Sequence, residues 1–160
     1  MTRRFAPATA NTAWVCDITY IRTRSGWLYL AAVLDLFSRK MAIAQRRPPA
    51  GLLVHSDRGS QYASELHRAL LTRHCLTASM SRKGNCWDNA VMERFFLKLK
   101  MECVWRRDYA NHAEAIRDVT DYIISFYNNV RLHSTLGYLP PTAYERKMAD
   151  IQPIEASEIT

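Results

Sequence analysis

No stretch of this sequence approaches the roughly 18 consecutive apolar residues that a bilayer-crossing helix needs. The opening MTRRFAPATANTAW also lacks the apolar core of a secretory signal. These two absences argue against a membrane protein and against a secreted one. Cysteine is sparse: Cys16, Cys75, Cys86 and Cys103 lie far apart and form no CxxC pair. That argues against a zinc knuckle and fits reduced thiols in a cytoplasm. Internal repeats and low-complexity tracts are missing too. What remains is the composition of an ordinary soluble globular chain, 48% hydrophobic and 23% charged over 160 residues, long enough for one domain with a real core.

Charge is the first positive signal. A formal net charge of +7 favours a polyanionic partner, of which nucleic acid is the commonest. The pattern along the chain points to a layered fold. AWVCDITYIR (13–22) reads as a strand, with Val15, Asp17 and Thr19 on one face and Trp14, Cys16, Ile18 and Tyr20 on the other. The turn TRSG then leads into a second strand, WLYLAAVLDLF (27–37), so the pair is expected to be an antiparallel hairpin. LLVHSD (52–57) and LTASMS (76–81) are further short strands. Helices are expected over 64–74 with Ser64 as N-cap, from about Cys86 to Val104, over 111–129, and in TAYERKMA after the break at LPP. Asn111 and Glu114 have cap-to-N3 spacing. RKGN (82–85) is a basic loop. Strands first and helices interleaved later imply an α/β or α+β layer fold.

Three carboxylates carry the chemistry. On a helical wheel started at Asn89, the residues Val91, Phe95, Leu99, Met92 and Cys103 span about 200° to 320°. Asn89, Glu93 and Lys100 fall within about 40° of zero, with Phe96 at the border. The long helix therefore has a core face and, beside it, a narrow stripe of amide, carboxylate and ammonium. Asp17 stands mid-strand, where an acid is disfavoured. Asp57 ends an apolar strand before a Gly-containing turn, the kind of place where ligand sites gather. Each acid alone has an ordinary reading, as a cap or a surface partner. Three converging anions need a counter-charge. Oxygen-only ligands suit Mg²⁺ or Mn²⁺ and not zinc, and two such ions roughly 4 Å apart serve phosphodiester displacement.

The interval from Asp57 to Glu93 holds 35 residues. Together with DITYI, VLDLFSRK, HSDRGSQYAS, SMSRKGNCWDNAVMERFF and YNNVRLHSTLGYLPP, it resembles the catalytic core of the DDE transposases of the insertion-sequence-three family. That core is similar to the integrase core of retroviruses. The likeness runs from about Arg3 to Glu145. It implies a ribonuclease H-like mixed α/β sheet flanked by helices, and DNA cleavage and strand transfer for transposition and integration with two Mg²⁺ (or Mn²⁺) ions. Asp17, Asp57 and Glu93 match the three catalytic, metal-holding acids. Lys100 and Asn89 on the same stripe, and Arg82 and Lys83 in the preceding loop, are DNA-binding candidates, as are Arg131 and His133. For Arg82, Lys83, Arg131 and His133 the alternative is a solvated side chain or a satisfied histidine. Asp35 reads as a hydrogen-bonding structural residue, and Trp87 as core.

The chain departs from that pattern between Asp17 and Asp57, where only 39 residues intervene. The family carries a third strand and most of a first helix there, so an internal deletion near residues 40/41 is expected. Should MAIAQ serve as a strand, the six residues RRPPAG would have to make a parallel crossover. They reach at most about 20 Å, and such crossovers take a dozen residues or more. MAIAQRR is therefore expected to be helical or irregular, beside a sheet of about four strands with one edge left open. The domain reading is an integrase core over 1–150 and a frayed tail over 151–160. A helix-turn-helix end-recognition part is absent from these residues. An active form is expected to be a homo-multimer on transposon-end and target DNA, in the bacterial cytoplasm at the nucleoid. Two other readings stand beside it: a non-catalytic DNA-binding remnant, and a ribonuclease H-like nuclease that cuts without joining.

Overall fold

β-Branched and aromatic residues dominate Ala13–Thr23, and this stretch is the central strand β1. The computed structural model describes residues 7–41, 53–56, 77–80 and 90–151. A turn at Arg24 and Ser25 returns the chain as β2, Gly26–Asp35, antiparallel to β1. Gly26 adopts φ +118°, which a residue with a Cβ avoids. Thr23 Oγ1 donates to its carbonyl at 2.8 Å and closes the turn. Strand β3, Leu53–Ser56, runs parallel to β1, and β4, Thr77–Met80, runs parallel to β3. The sheet order is β2-β1-β3-β4, the mixed four-stranded sheet expected from the sequence.

β2 stops at Asp35, two residues short of the expected end, because the Asp35 carboxylate folds the next residues into a turn. Its Oδ1 accepts from the backbone N–H of Phe37 at 2.8 Å and of Ser38 at 3.4 Å. Its Oδ2 accepts from Asn11 N at 2.7 Å and Trp14 Nε1 at 3.2 Å. Asp35 is fully buried, as befits the structural role read for it. The chain then returns to the edge of β2 at one point, where Met41 bridges Leu34 antiparallel. The rest of MAIAQRR lies outside the described residues, as do the expected helix 64–74, the RKGN loop and the tail.

Helix α1, Ala90–Glu102, packs on the β1 face that carries Val15 and Ile21. Met92, Phe95, Phe96 and Leu99 are its buried residues, so Phe96 belongs to the core face and not to its border. The helix ends at Glu102, and Val104–Arg106 follows as a 3-10 turn. Helix α2, His112–Asp121, starts as predicted: Asn111 Oδ1 accepts from Glu114 N at 3.0 Å. Glu114 Oε2 accepts from Ala110 N at 2.8 Å, one residue before the cap and not at the cap N–H that a full capping box would use. Beyond Asp121 the expected α-helix widens into a π-helix, Tyr122–Tyr127. The wider turn lets Tyr122 and Tyr127, five residues apart, both bury on the core side. Helix α3, Pro141–Ile151, closes the described chain, with Pro141 at its first position, where a missing N–H costs nothing. Among the described residues no helix is long and apolar enough to cross a membrane.

Candidate active site

Alternation along β1 decides where Asp17 goes. Val15 and Ile21 lie in the core beneath the helices, while Trp14 and Cys16 join Val54 on the opposite face. Asp17 shares parity with Val15 and Ile21, so it sits on the helix-covered side, half-buried. Its Oδ1 accepts from Ile18 N at 2.7 Å. The parallel ladder between β1 and β3 pairs Cys16 with Ser56. Each of these residues immediately precedes one of the two predicted aspartates in sequence. Glu93 is in the first turn of α1 and exposed. Lys100, two turns on, is half-buried. Asp57, Arg82, Lys83 and Asn89 lie outside the described residues. Among the described residues no three metal-ligating side chains cluster. The donors that are described, Asp17 and Glu93, are carboxylates, the oxygen ligands that hard divalent cations take.

The other two predicted residues, Arg131 and His133, stand together on the opposite flank of α1. Arg131 is already engaged. Its Nε and Nη2 donate to Glu102 at 2.8 to 3.1 Å in a forked pair, and its Nη1 donates to Leu132 O at 3.3 Å. Tyr122 Oη donates to the same carboxylate at 2.6 Å. Burial works to raise Glu102, but the guanidinium and the phenol outweigh it and hold the carboxyl below its ordinary range. His133 packs edge-on against Tyr127 at 5.0 Å between ring centres. Burial pushes its imidazole down to about 4, assisted by the positive charges of Arg131 and Arg39, so it is neutral at pH 7. Its Nε2 is buried and has no hydrogen-bond partner among the described residues.

Both residues line a cavity of about 380 Å³ whose other charged walls, among the described residues, are Arg39, Arg94 and Lys98. Sequence reading passed over these three as site residues. Arg94 and Lys98 look like ordinary outward positions on a helix. Arg39 depends on a left-handed turn, φ +60°, that no sequence pattern around SRK announces.

Comparison with known proteins fits this geometry. The integrase core domain family matches residues 74–141. An insertion element IS600 protein of 31 kDa from Shigella sonnei is 41% identical over a 167-residue match, covering 92% of this chain and 61% of that protein. The transposase InsF of insertion sequence IS3A from Escherichia coli K12 is 41% identical over 157 residues, covering 86% of this chain and 54% of its own length. The chain is a relative of the insertion-sequence transposases. It spans between about half and three fifths of the length of those two relatives. Solved structures carry the fold. One chain of a simian T-cell lymphotropic virus intasome superposes with a TM-score of 0.71 at 15% identity, covering 88% of this chain and 56% of that one. The HTLV-2 integrase catalytic core, solved in complex with magnesium in a trimeric form, gives 0.57 at 13% identity, covering 86% of this chain and 98% of that one. The fold of this transposase relative is thus the ribonuclease H-like fold of integrase catalytic cores.

Proposed function

We propose that this chain is the catalytic core of a DNA transposase, cleaving phosphodiesters and transferring strands with Asp17, Asp57 and Glu93 as its acids. One observation carries the reading. β1 and β3 are parallel neighbours whose paired residues Cys16 and Ser56 directly precede Asp17 and Asp57, and α1 brings Glu93 on a helix packed over the Asp17 face. Two Mg²⁺ or Mn²⁺ ions held by these carboxylates would supply activation of the attacking oxygen and stabilisation of the leaving one. The chain's own residues hold the DNA. Lys100 shares the Glu93 stripe and meets backbone phosphate there, with Asn89, Arg82 and Lys83 as further contacts. Arg131 and His133 contribute from the other flank of α1, Arg131 with its charge offset by Glu102. End recognition by an upstream helix-turn-helix part, and assembly as a homo-multimer on two DNA ends, complete the proposal.

The internal deletion belongs to the same reading. A match of 167 residues is longer than the 160 residues of the chain, so the relative has residues that this chain lacks. Among the described residues β2 is an edge strand, which supports placing that gap after Lys40. Trp27 and Tyr29 on that strand are 53% and 64% exposed, and within the described chain only its last residues meet the returning segment at Lys40 and Met41. The same feature favours a second reading, a DNA-binding remnant whose acids no longer hold metal.

Magnesium titration followed by thermal melting separates the two. A cation bound only by the folded chain at about 100 times its dissociation constant stabilises by about 2.7 kcal/mol. For a domain of this size that raises the melting temperature by roughly 5–10 °C. Asp57→Asn should lose most of the rise while melting normally without metal. A parent chain that does not respond to Mg²⁺ or Mn²⁺ would establish the remnant. Labelled DNA ends then distinguish joined products from nicks.

A further inference from the structure

The cavity on the far flank of α1 has an unusual concentration of strained and unbalanced groups. Arg94 and Lys98 project roughly 100–140° around the helix from Glu93, so the cavity is separated from the acidic stripe by the body of α1. Among the described residues no carboxylate lines it. Arg39 is half-buried there, and among the described residues no acid pairs with it. Burial, together with the charge of Arg94, lowers its affinity for its proton. A desolvated cation beside a second cation is costly unless an anion joins them. Three described residues other than glycine have positive φ, and two of them, Arg39 and Tyr138, line this cavity. Each such residue costs about 1–2 kcal/mol, a strain that clusters at binding sites. Tyr138 is 69% exposed at the rim. His133 adds a buried ring nitrogen without a partner among the described residues.

We propose that this cavity is a second DNA-contact site, in which Arg39, Arg94 and Lys98 grip one backbone phosphate and Tyr138 offers its ring to the adjoining nucleotide. Cations beside an exposed aromatic face suit a nucleotide better than a bare carboxylate, because the ring adds a stacking surface for the base. The volume accommodates a phosphate with part of its sugar. The inference rests on the DNA reading given above, and it adds a contact that lies away from the metal-binding acids. DNA held there would cross α1, touching Lys100 on one flank and Arg94 on the other.

The test is fluorescence anisotropy of the full chain with a labelled DNA duplex, free of divalent cations, across a series of salt concentrations. Arg94→Gln and Lys98→Gln are the primary variants, since both side chains leave an exposed helix surface. Arg39→Gln is the third, with its fold checked by circular dichroism. Arg24→Gln removes one charge at the distant hairpin as a control. Each cavity variant should weaken binding about tenfold and reduce the magnitude of the logarithmic salt slope by about one, the loss of one phosphate contact. The Arg24 control should leave the slope unchanged. If the parent binds DNA and Arg94→Gln and Lys98→Gln bind with the same slope, the second site is refuted while the DNA reading stands. If the parent does not bind DNA, both fall. A melting-temperature rise with inorganic phosphate, lost in Arg94→Gln and unaffected by competing duplex, would overturn the DNA assignment in favour of a free anion.

Discussion

Replacing Asp35 should remove much of this domain's stability margin, although its side chain lies in neither proposed site. Its carboxylate is fully buried and accepts four hydrogen bonds from described donors, at 2.7, 2.8, 3.2 and 3.4 Å. The longest, to Ser38 N, is weak, and Asn11 N is near enough to the surface to be rehydrated. Trp14 Nε1 and Phe37 N are the donors with most to lose. An unsatisfied buried donor costs about 1–3 kcal/mol, and hydrogen bonds to a charged group are stronger than neutral ones. With the small cavity that alanine leaves, Asp35→Ala should cost about 3–5 kcal/mol. Asp35→Asn is the sharper test. Its oxygen can still accept from Phe37, but its amide then faces the N–H groups of Asn11 and Trp14, donor against donor. It should therefore rescue little, losing about 2–4 kcal/mol despite nearly identical size. Urea denaturation would read the alanine loss as a midpoint lowered by roughly 2 M. A loss below 1 kcal/mol in Asp35→Ala, or full rescue by asparagine, would refute the account of the turn. Asp35 O also accepts from Arg39 N at 2.8 Å, so a loosened turn should weaken DNA binding in the same variants.

Acid should destabilise the fold in two stages. His133 titrates near 6.5 when unfolded and at about 4 when folded, so the unfolded chain takes up its proton first and stability falls between those values. Discounted for partial exposure, the loss is about 1–2 kcal/mol. Glu102 is held below its unfolded value, so its contribution is present above about 4.5 and disappears only as pH falls further. Urea midpoints at pH 7 and pH 5 should differ in the parent and converge in His133→Gln, while an unchanged slope in that variant would show that another group is responsible. Asn128→Ala should cost about 2–3 kcal/mol, because its amide both accepts from Met41 N at 2.9 Å and donates to Met41 O at 3.3 Å in a buried position. Increased hydrogen exchange confined to the Met41 end of β2 would accompany the loss, and exchange spread evenly over the sheet would contradict it.

Local signals were legible because local physics made them. The alternation in 13–22 placed Asp17 on the face with Val15, and the cap at Asn111 fixed the start of α2 to the residue. The hairpin, the two short strands after it and most of the buried face of α1 followed from period and turn chemistry in the same way. Features made by distant residues were not legible. No propensity in YIISFY distinguishes a π-turn from an α-turn; the burial of Tyr122 and Tyr127 against α1 selects it. Glu102 is a surface acid by pattern, yet Arg131 and Tyr122 make it the centre of a buried-edge network. The DNA contact proposed for Arg131 rests on a motif, and the structure adds a partner, Glu102, that the motif did not show. Of the three acids, two are placed by described elements, and the match of Cys16 with Ser56 is a register that two separated strands could not reveal before pairing.

The same long-range contacts explain how a core in which β2 is the edge strand among the described residues stays ordered around Asp17. Three sequence motifs that look independent meet at the end of β2. The SRK turn is tied to α3, where Glu145 accepts from Ser38 Oγ at 2.6 Å and from Lys40 Nζ at 3.1 Å. That ion pair is largely shielded, with side chains 25% and 17% exposed, so salt screens it less than a surface pair. Asn128, from the YNN segment, supplies Met41 with the two backbone hydrogen bonds that a neighbouring strand would otherwise provide. Its own carbonyl accepts from Thr142 N at 2.9 Å, which fixes the start of α3 to the same point. An asparagine side chain thus substitutes for one residue of a strand, and the Glu145 clamp prevents the turn from peeling away. Among the described residues, bracing of this kind acts at one end of β2, and Trp27 and Tyr29 are exposed further along the strand. β1 is held by full pairing with β2 and by β3 on its other side, so the strand that carries Asp17 does not depend on the outer edge of β2.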